Sequence, residues 1–252
     1  MIDTVRAEAF KLRTLTSVLV ACLTTAALTV GLAWLSGWSV RGALENNPGL
    51  LVGEVVPEQV GFDAVAYGTA GMVVLGVLAV SSEYTGGQIR ASLLATPHRP
   101  RLLAAKAAVV ASAALAVALV TVPAAFTATQ VGLGEHGFAL SGMAARPVSG
   151  ALAGAVAYWV LIALLAAGVT VVVRNAVVPL TLLISLVLAL SFYLSMLTDL
   201  ADYLPDRAGA QMFLMGGPND TELSPLGGGA VMAAWVAAVW AVAVPLFSRR
   251  AA

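Results

Sequence analysis

The chain has 252 residues with thirteen Lys plus Arg against thirteen Asp plus Glu, and 60% of it is hydrophobic while 10% is charged. A soluble domain carries about 25% charged residues, so this composition cannot clothe a water-facing surface, and the zero net charge argues against nucleic acid as a partner. Cys22 is the single cysteine, which excludes an internal disulfide and a cysteine-based metal site; in its apolar stretch it reads as a small buried hydrophobe.

The first element expected is a short helix over residues 2–14. On a helical wheel Ile2, Val5, Ala9 and Leu12 share one side, Thr4, Glu8 and Lys11 lie opposite, Arg6 and Arg13 sit on the border, and Phe10 falls beyond the arginines. That distribution suits a helix lying in a lipid interface with its basic groups reaching for phosphates. The apolar run that follows is too long for a signal-peptide core and lacks an A-x-A-like cleavage site, so it is read as a retained first span.

Six stretches free of Asp, Glu, Lys and Arg are long enough to cross a bilayer, at about residues 16–37, 64–82, 107–130, 150–173, 175–198 and 225–247. They lack the period-two alternation of a barrel, so they must be helices that satisfy their own backbone groups. The expectation is one all-α transmembrane domain over residues 1–252. Trp34 and Trp38 fall at the end of the first span, where an indole can bury its ring and keep its N–H wet. Gly150 and Gly154 form a small-xxx-small pattern suited to close helix packing. Ser149 reads as a helix N-cap, and Arg174-Asn175 alone joins the fourth and fifth spans, which makes them antiparallel neighbours.

Arg6, Lys11, Arg13, Arg90, Arg99, Arg101, Lys106, Arg174, Arg249 and Arg250 fall on one side of this layout. Only Arg41, Arg146 and Arg207 fall on the other, among most of the acidic residues. The positive-inside rule therefore puts both ends of the chain in the cytoplasm.

Several chemistries lack their residues. The spans hold no ionisable relay of the kind an ion-coupled carrier uses, although Na⁺ can be bound by carbonyls and hydroxyls. The lysines are Lys11, followed by Leu12, and Lys106, followed by Ala107, and neither fits a phosphate-binding loop of the form G-x-x-x-x-G-K-[ST]. A rhomboid-type serine protease would need G-x-S-G and a histidine on another span. Here Pro147-Val148-Ser149-Gly150 lacks the first glycine, and His98 and His136 lie in loops on opposite sides.

The most informative stretch is the cytoplasmic loop over residues 81–106, SSEYTGGQIRASLLATPHRPRLLAAK. It breaks at Gly86-Gly87, offers a short helix-compatible run over residues 88–96, and meets Pro97 and Pro100, the latter a suitable first-turn residue for the next helix. This loop resembles that of the permease subunits of ABC-2 type transporters. Small bacterial members carry a string resembling E-Y-x-x-G-T-I-R as they leave the second span, then a leucine-rich stretch, P-x-R, and a lysine opening the third. Glu83, Tyr84, Gly87, Ile89 and Arg90 match the first part, and Pro97, Arg99 and Lys106 the second; Gln88 stands where Thr is usual. The segment with Glu8 and Lys11 looks like the family's interfacial elbow helix. Tyr203-Leu204-Pro205 with Ala208-Gly209 resembles the segment before its last span, which can form a re-entrant hairpin over residues 199–224.

The resemblance implies half of an ATP-driven exporter in the bacterial plasma membrane. Two permeases, alike or different, would pair, and two copies of a separate ATP-binding subunit would dock on the cytoplasmic face. No cofactor is expected on this chain; ATP and Mg belong to the partner. A coupling helix within the loop would seat in the ATPase, with Glu83, Tyr84, Gly87, Arg90, Pro97, Arg99, Arg101 and Lys106 as the coupling set and Arg6, Glu8 and Lys11 as the elbow set. The cargo would be lipophilic or amphiphilic, an antibiotic, peptide or lipid. The rival readings are a non-transporting membrane scaffold or sensor and, behind it, an ion-coupled carrier.

Overall fold

Backbone groups in lipid find no water to bond, so a spanning segment must close its hydrogen bonds within itself. The computed structural model describes residues 2–46, 49, 55–85, 98–139, 146–215 and 223–249, and every regular element among them is helical. We number them α1 (Ile2–Thr14), α2 (Thr16–Asn46), α3 (Pro57–Thr85), α4 (Arg99–Leu133), α5 (Arg146–Val173), α6 (Val177–Ser185), α7 (Ser191–Ser195), α8 (Pro205–Ala210) and α9 (Pro225–Arg249). A π turn over Leu186–Leu190 welds α6 to α7, so the two make one span. Six helical stretches are thus long and apolar enough to cross a membrane. The protein is an all-α, six-span membrane protein.

The helices overrun the charge-free stretches. α2 continues to Asn46, where Arg41 and Glu45 pair at 2.8 Å one turn apart, and α4 begins at Arg99 with Pro100 in its first turn. Charge excludes a residue from hydrocarbon but not from a helix, so hydropathy finds the span and misses the ends. α5 begins at Arg146, which places Ser149 inside the first turn rather than at the N-cap. Pro147, next to the start, suits a first turn whose N–H groups have no helical partner.

α3 and α5 form the centre, flanked by α2 and α4 on one side and α9 on the other. Trp159 of α5 is fully buried and donates its indole N–H to the Val65 carbonyl of α3 at 3.2 Å. Phe62 and Phe126 stack obliquely nearby, with centroids 5.2 Å apart. Gly76 of α3 lies against the Ala163 carbonyl of α5, where any Cβ would collide, the close approach that small residues give helices in lipid. Gly154 does the same against the Met212 carbonyl, while Gly150 faces open space; of the two, Gly154 alone makes an intramolecular contact.

α2, the α6–α7 span and α9 leave most of their apolar surface uncovered. Trp34 and Trp38 are exposed on α2, and Cys22 is half-buried rather than enclosed. After α7 the chain turns through a short 3₁₀ segment, Asp199–Tyr203, into α8, which packs on α5 and α9. The Trp235 indole N–H of α9 donates to the Tyr203 carbonyl at 2.9 Å. The re-entrant hairpin expected over residues 199–224 includes residues 216–222, which lie outside the described residues.

Candidate functional site

α1 is built to bury one stripe. Val5, Glu8, Ala9 and Leu12 recur at helical spacing and face the bundle, whereas Ile2, Arg6, Phe10 and Arg13 lie on the exposed side. The wheel drawn from hydropathy placed Ala9 and Leu12 toward lipid and Glu8 toward water. The structure reverses both assignments, and Glu8 is 5% exposed. A glutamate enters such a position only if its charge is met there.

It is met by both lysines of the chain. Lys11 Nζ lies 2.6 Å from Glu8 Oε1 and 3.0 Å from Glu83 Oε1, and Lys106 Nζ lies 2.6 Å from Glu8 Oε2 and 3.1 Å from Glu83 Oε2. Three of these contacts are hydrogen bonds; the Lys106–Glu83 edge is a charge contact alone, without hydrogen-bond angles at Glu83 Oε2. Two carboxylates and two ammoniums therefore alternate around a closed ring of zero net charge, each carboxylate bridging both cations. The side chains of Glu8, Glu83 and Lys106 are 4–5% exposed, and Lys11 forms the one open corner at 34%.

The ring fixes its own ionisation. Burial alone would push the Glu8 carboxyl up, but the charges and hydrogen bonds of Lys106 and Lys11 together outweigh it and hold the group below the ordinary carboxylate value. Burial likewise pulls the Lys11 ammonium down, and the hydrogen bonds and charges of Glu8 and Glu83 more than reverse it. Both residues are driven away from neutrality, so neither is tuned to exchange protons near pH 7. The arrangement binds helices together.

Two further ties join the same end of the bundle. Arg174 Cζ lies 5.9 Å from the centre of the Tyr84 ring, a cation–π contact between α3 and the α5–α6 turn. Arg174 has φ of +58° and donates its N–H to the Thr170 carbonyl, closing α5 with a left-handed residue. Asn175 Oδ1 then accepts the Val177 N–H at 2.6 Å and starts α6. Arg99, at the start of α4, donates from Nη1 to the carbonyls of Phe247 and Ser248 at 3.2 Å each. It thereby caps the last turn of α9, where unpaired carbonyls favour a cation.

A scan against protein-family models finds no match, and a search of curated proteins finds none either.

The structure thus gathers Glu8, Lys11, Glu83, Tyr84, Arg99 and Lys106 of the sequence-derived set into one frame at one end. Glu83 and Lys106 face inward to the ring, so their charges are met within the chain. Arg6 and Arg101 are exposed beside the frame. Gly87, Arg90 and Pro97, with the short helix expected over residues 88–96, lie outside the described residues. Sequence reasoning missed Arg174, and it missed that the lysines converge. The available signal was their scarcity: two lysines, Lys11 one turn from Glu8 on α1 and Lys106 near the start of α4, with Glu83 near the end of α3. Among the described residues no group of three or more His, Cys, Asp or Glu side chains is placed to hold a metal.

Proposed function

We propose that this protein is the permease subunit of an ATP-driven ABC exporter of the ABC-2 type. It would form half of a translocation pathway for a lipophilic or amphiphilic substrate and take its energy from a separate ATP-binding subunit. One observation carries the reading: α3 and α4, which residues 86–97 connect in the sequence, are locked by the buried ring to each other and to α1. A push on that segment from a docked ATPase would be delivered to α1, α3 and α4 together. Tyr84–Arg174 and the Arg99 cap would pass it to α5, α6 and α9 as rigid-body motion. On this reading Arg90 and Arg101 contact the ATPase, while the ring transmits its movement. The ends of the chain are cytoplasmic, and the membrane is the bacterial plasma membrane.

The test is co-expression with an ABC ATP-binding subunit encoded beside it. We expect a stable complex whose ATP hydrolysis is stimulated by substrate. Arg90→Glu and Arg101→Glu should each lower the stimulated rate by about tenfold, since one lost charge-assisted contact is worth roughly 1.5–3 kcal/mol, without moving the melting temperature of the permease. If no ATPase co-purifies and both variants leave ATP turnover unchanged, the reading fails. A complex that hydrolyses ATP without substrate stimulation would mark a scaffold or sensor, and flux that stops when an ion gradient collapses at constant ATP would mark a carrier.

A further inference from the structure

At the end of the bundle opposite the ring, a cavity of about 140 Å³ opens between α3, α5, the π turn and α8. Its lining is apolar at Ala66, Val187, Phe213 and Leu214 and polar at Tyr158, Asp206, Arg207 and Gln211. Asp206 is 7% exposed. Ser191 donates to its Oδ1 at 2.7 Å. Arg207 binds Asp202 through Nε alone, at 3.0 Å. Its two terminal nitrogens and the whole Gln211 side-chain amide have no other hydrogen-bond partner among the described residues. The lining therefore pairs a carboxylate held by Ser191 with a guanidinium and an amide whose donors stand open.

The local backbone is shaped to this arrangement. Residues 186–190, Leu-Val-Leu-Ala-Leu, contain neither proline nor glycine, yet they form a π turn in a span that is otherwise α-helical. Such turns cluster at functional sites because they rotate the residues that follow. Here the turn sets Val187 in the cavity wall and Ser191 against Asp206.

We propose that this cavity binds the zwitterionic head group of an amphiphile, its ammonium against Asp206 and its acidic oxygens against Arg207 and Gln211. A cation alone would leave the open guanidinium donors unmet and set a like charge beside them. An anion alone would face Asp206. A ligand bearing both signs answers each. The volume is close to the ~150 Å³ that accepts a benzene ring, enough for a compact head group whose chain leaves along the apolar part of the lining. This site stands apart from the transport reading, because it lies wholly on this chain and is tested without an ATPase.

The experiment is calorimetric titration of the purified full-length chain in maltoside micelles with dihexanoyl phosphatidylethanolamine. Parallel titrations use dihexanoyl phosphatidylglycerol, which carries the anion alone, hexylammonium, which carries the cation alone, and free phosphoethanolamine. Saturable one-to-one binding is expected for the zwitterionic lipid, weaker by about tenfold for each single-charge probe, as expected when one charge-assisted hydrogen bond is lost. Free phosphoethanolamine separates the sources: comparable binding would identify a soluble zwitterion, and weak binding a lipid. Asp206→Asn should cut phosphatidylethanolamine binding by about tenfold and leave phosphatidylglycerol no weaker, and Arg207→Gln should weaken both lipids. If Asp206→Asn does not fold, Arg207→Gln and the probe series decide alone. Equal affinity for all three alkylated probes, or no saturable binding of either zwitterion, overturns the proposal.

Discussion

The two ends of this bundle are held by different forces. At the end with α1, four formal charges close a buried ring, and arginines tie the neighbouring helices to it. At the opposite end the ties are mostly single neutral bonds. Gln130 Nε2 donates to the Pro57 carbonyl at 2.9 Å, its Oε1 accepts the Phe138 N–H at 2.7 Å, and Gln59 Oε1 accepts the Met215 N–H at 2.6 Å. A neutral bond contributes roughly 0.5–1.5 kcal/mol and can be exchanged for water one at a time. A ring of buried charges has no cheap half-open state, because each opened edge strands an ion. The first end is therefore suited to move as a block and the second to adapt locally.

The largest effect should come from removing a cation of the ring. Lys106→Met leaves two buried carboxylates facing each other with Lys11 alone between them, and we expect a loss of about 3–5 kcal/mol, read as a lowered thermal midpoint of the purified protein. A loss below about 1 kcal/mol would mean that the ring is no stiffer than a surface pair.

Glu8→Gln should cost less, since the amide still fits the space, and its pH dependence is the sharper test. Glu8 titrates below its unfolded value of about 4.3 when folded. Its contribution is therefore complete above that value and lost as pH falls through the folded pKa. The midpoints of wild type and Glu8→Gln should stand apart at neutral pH and converge in acid. The raised Lys11 works in the opposite direction: its contribution is present below about 10.4 and lost as pH rises through the folded value.

At the far end, Gln59→Met removes a neutral acceptor from the Met215 N–H and should cost about 1 kcal/mol, with a shift that is the same at pH 5 and pH 8. A pH-dependent shift there would erase the contrast between the ends. Smallest of all, Arg101→Ala should alter stability by no more than about 0.5 kcal/mol, as expected for an exposed residue, so any loss of ATPase stimulation it causes belongs to the interface and not to the fold.

Hydropathy made the six spans legible because a bilayer demands about 20 apolar residues in a row, and the Arg174-Asn175 turn was legible because nothing else separates two spans. The ring was only half visible. Glu8 and Lys11 are three residues apart, but Glu83 lies 72 residues from Lys11 and Lys106 lies 98 from Glu8, and no local period records such a meeting. Glu8 was placed on the wrong face because a wheel ranks residues by affinity for water, and the burial of a paired carboxylate depends on partners that other helices supply. The π turn was invisible for a related reason: no breaker marks it, and it belongs with Ser191 meeting Asp206 across a turn of chain.

Because the ring takes up both lysines, it also makes the protein sparing in its amine chemistry. A reagent that acylates lysine meets Lys106 only when the ring opens, and Lys11 only at its one accessible corner. Modification of Lys106, followed site by site by mass spectrometry, would therefore count the openings of this end of the bundle during turnover, with no residue changed.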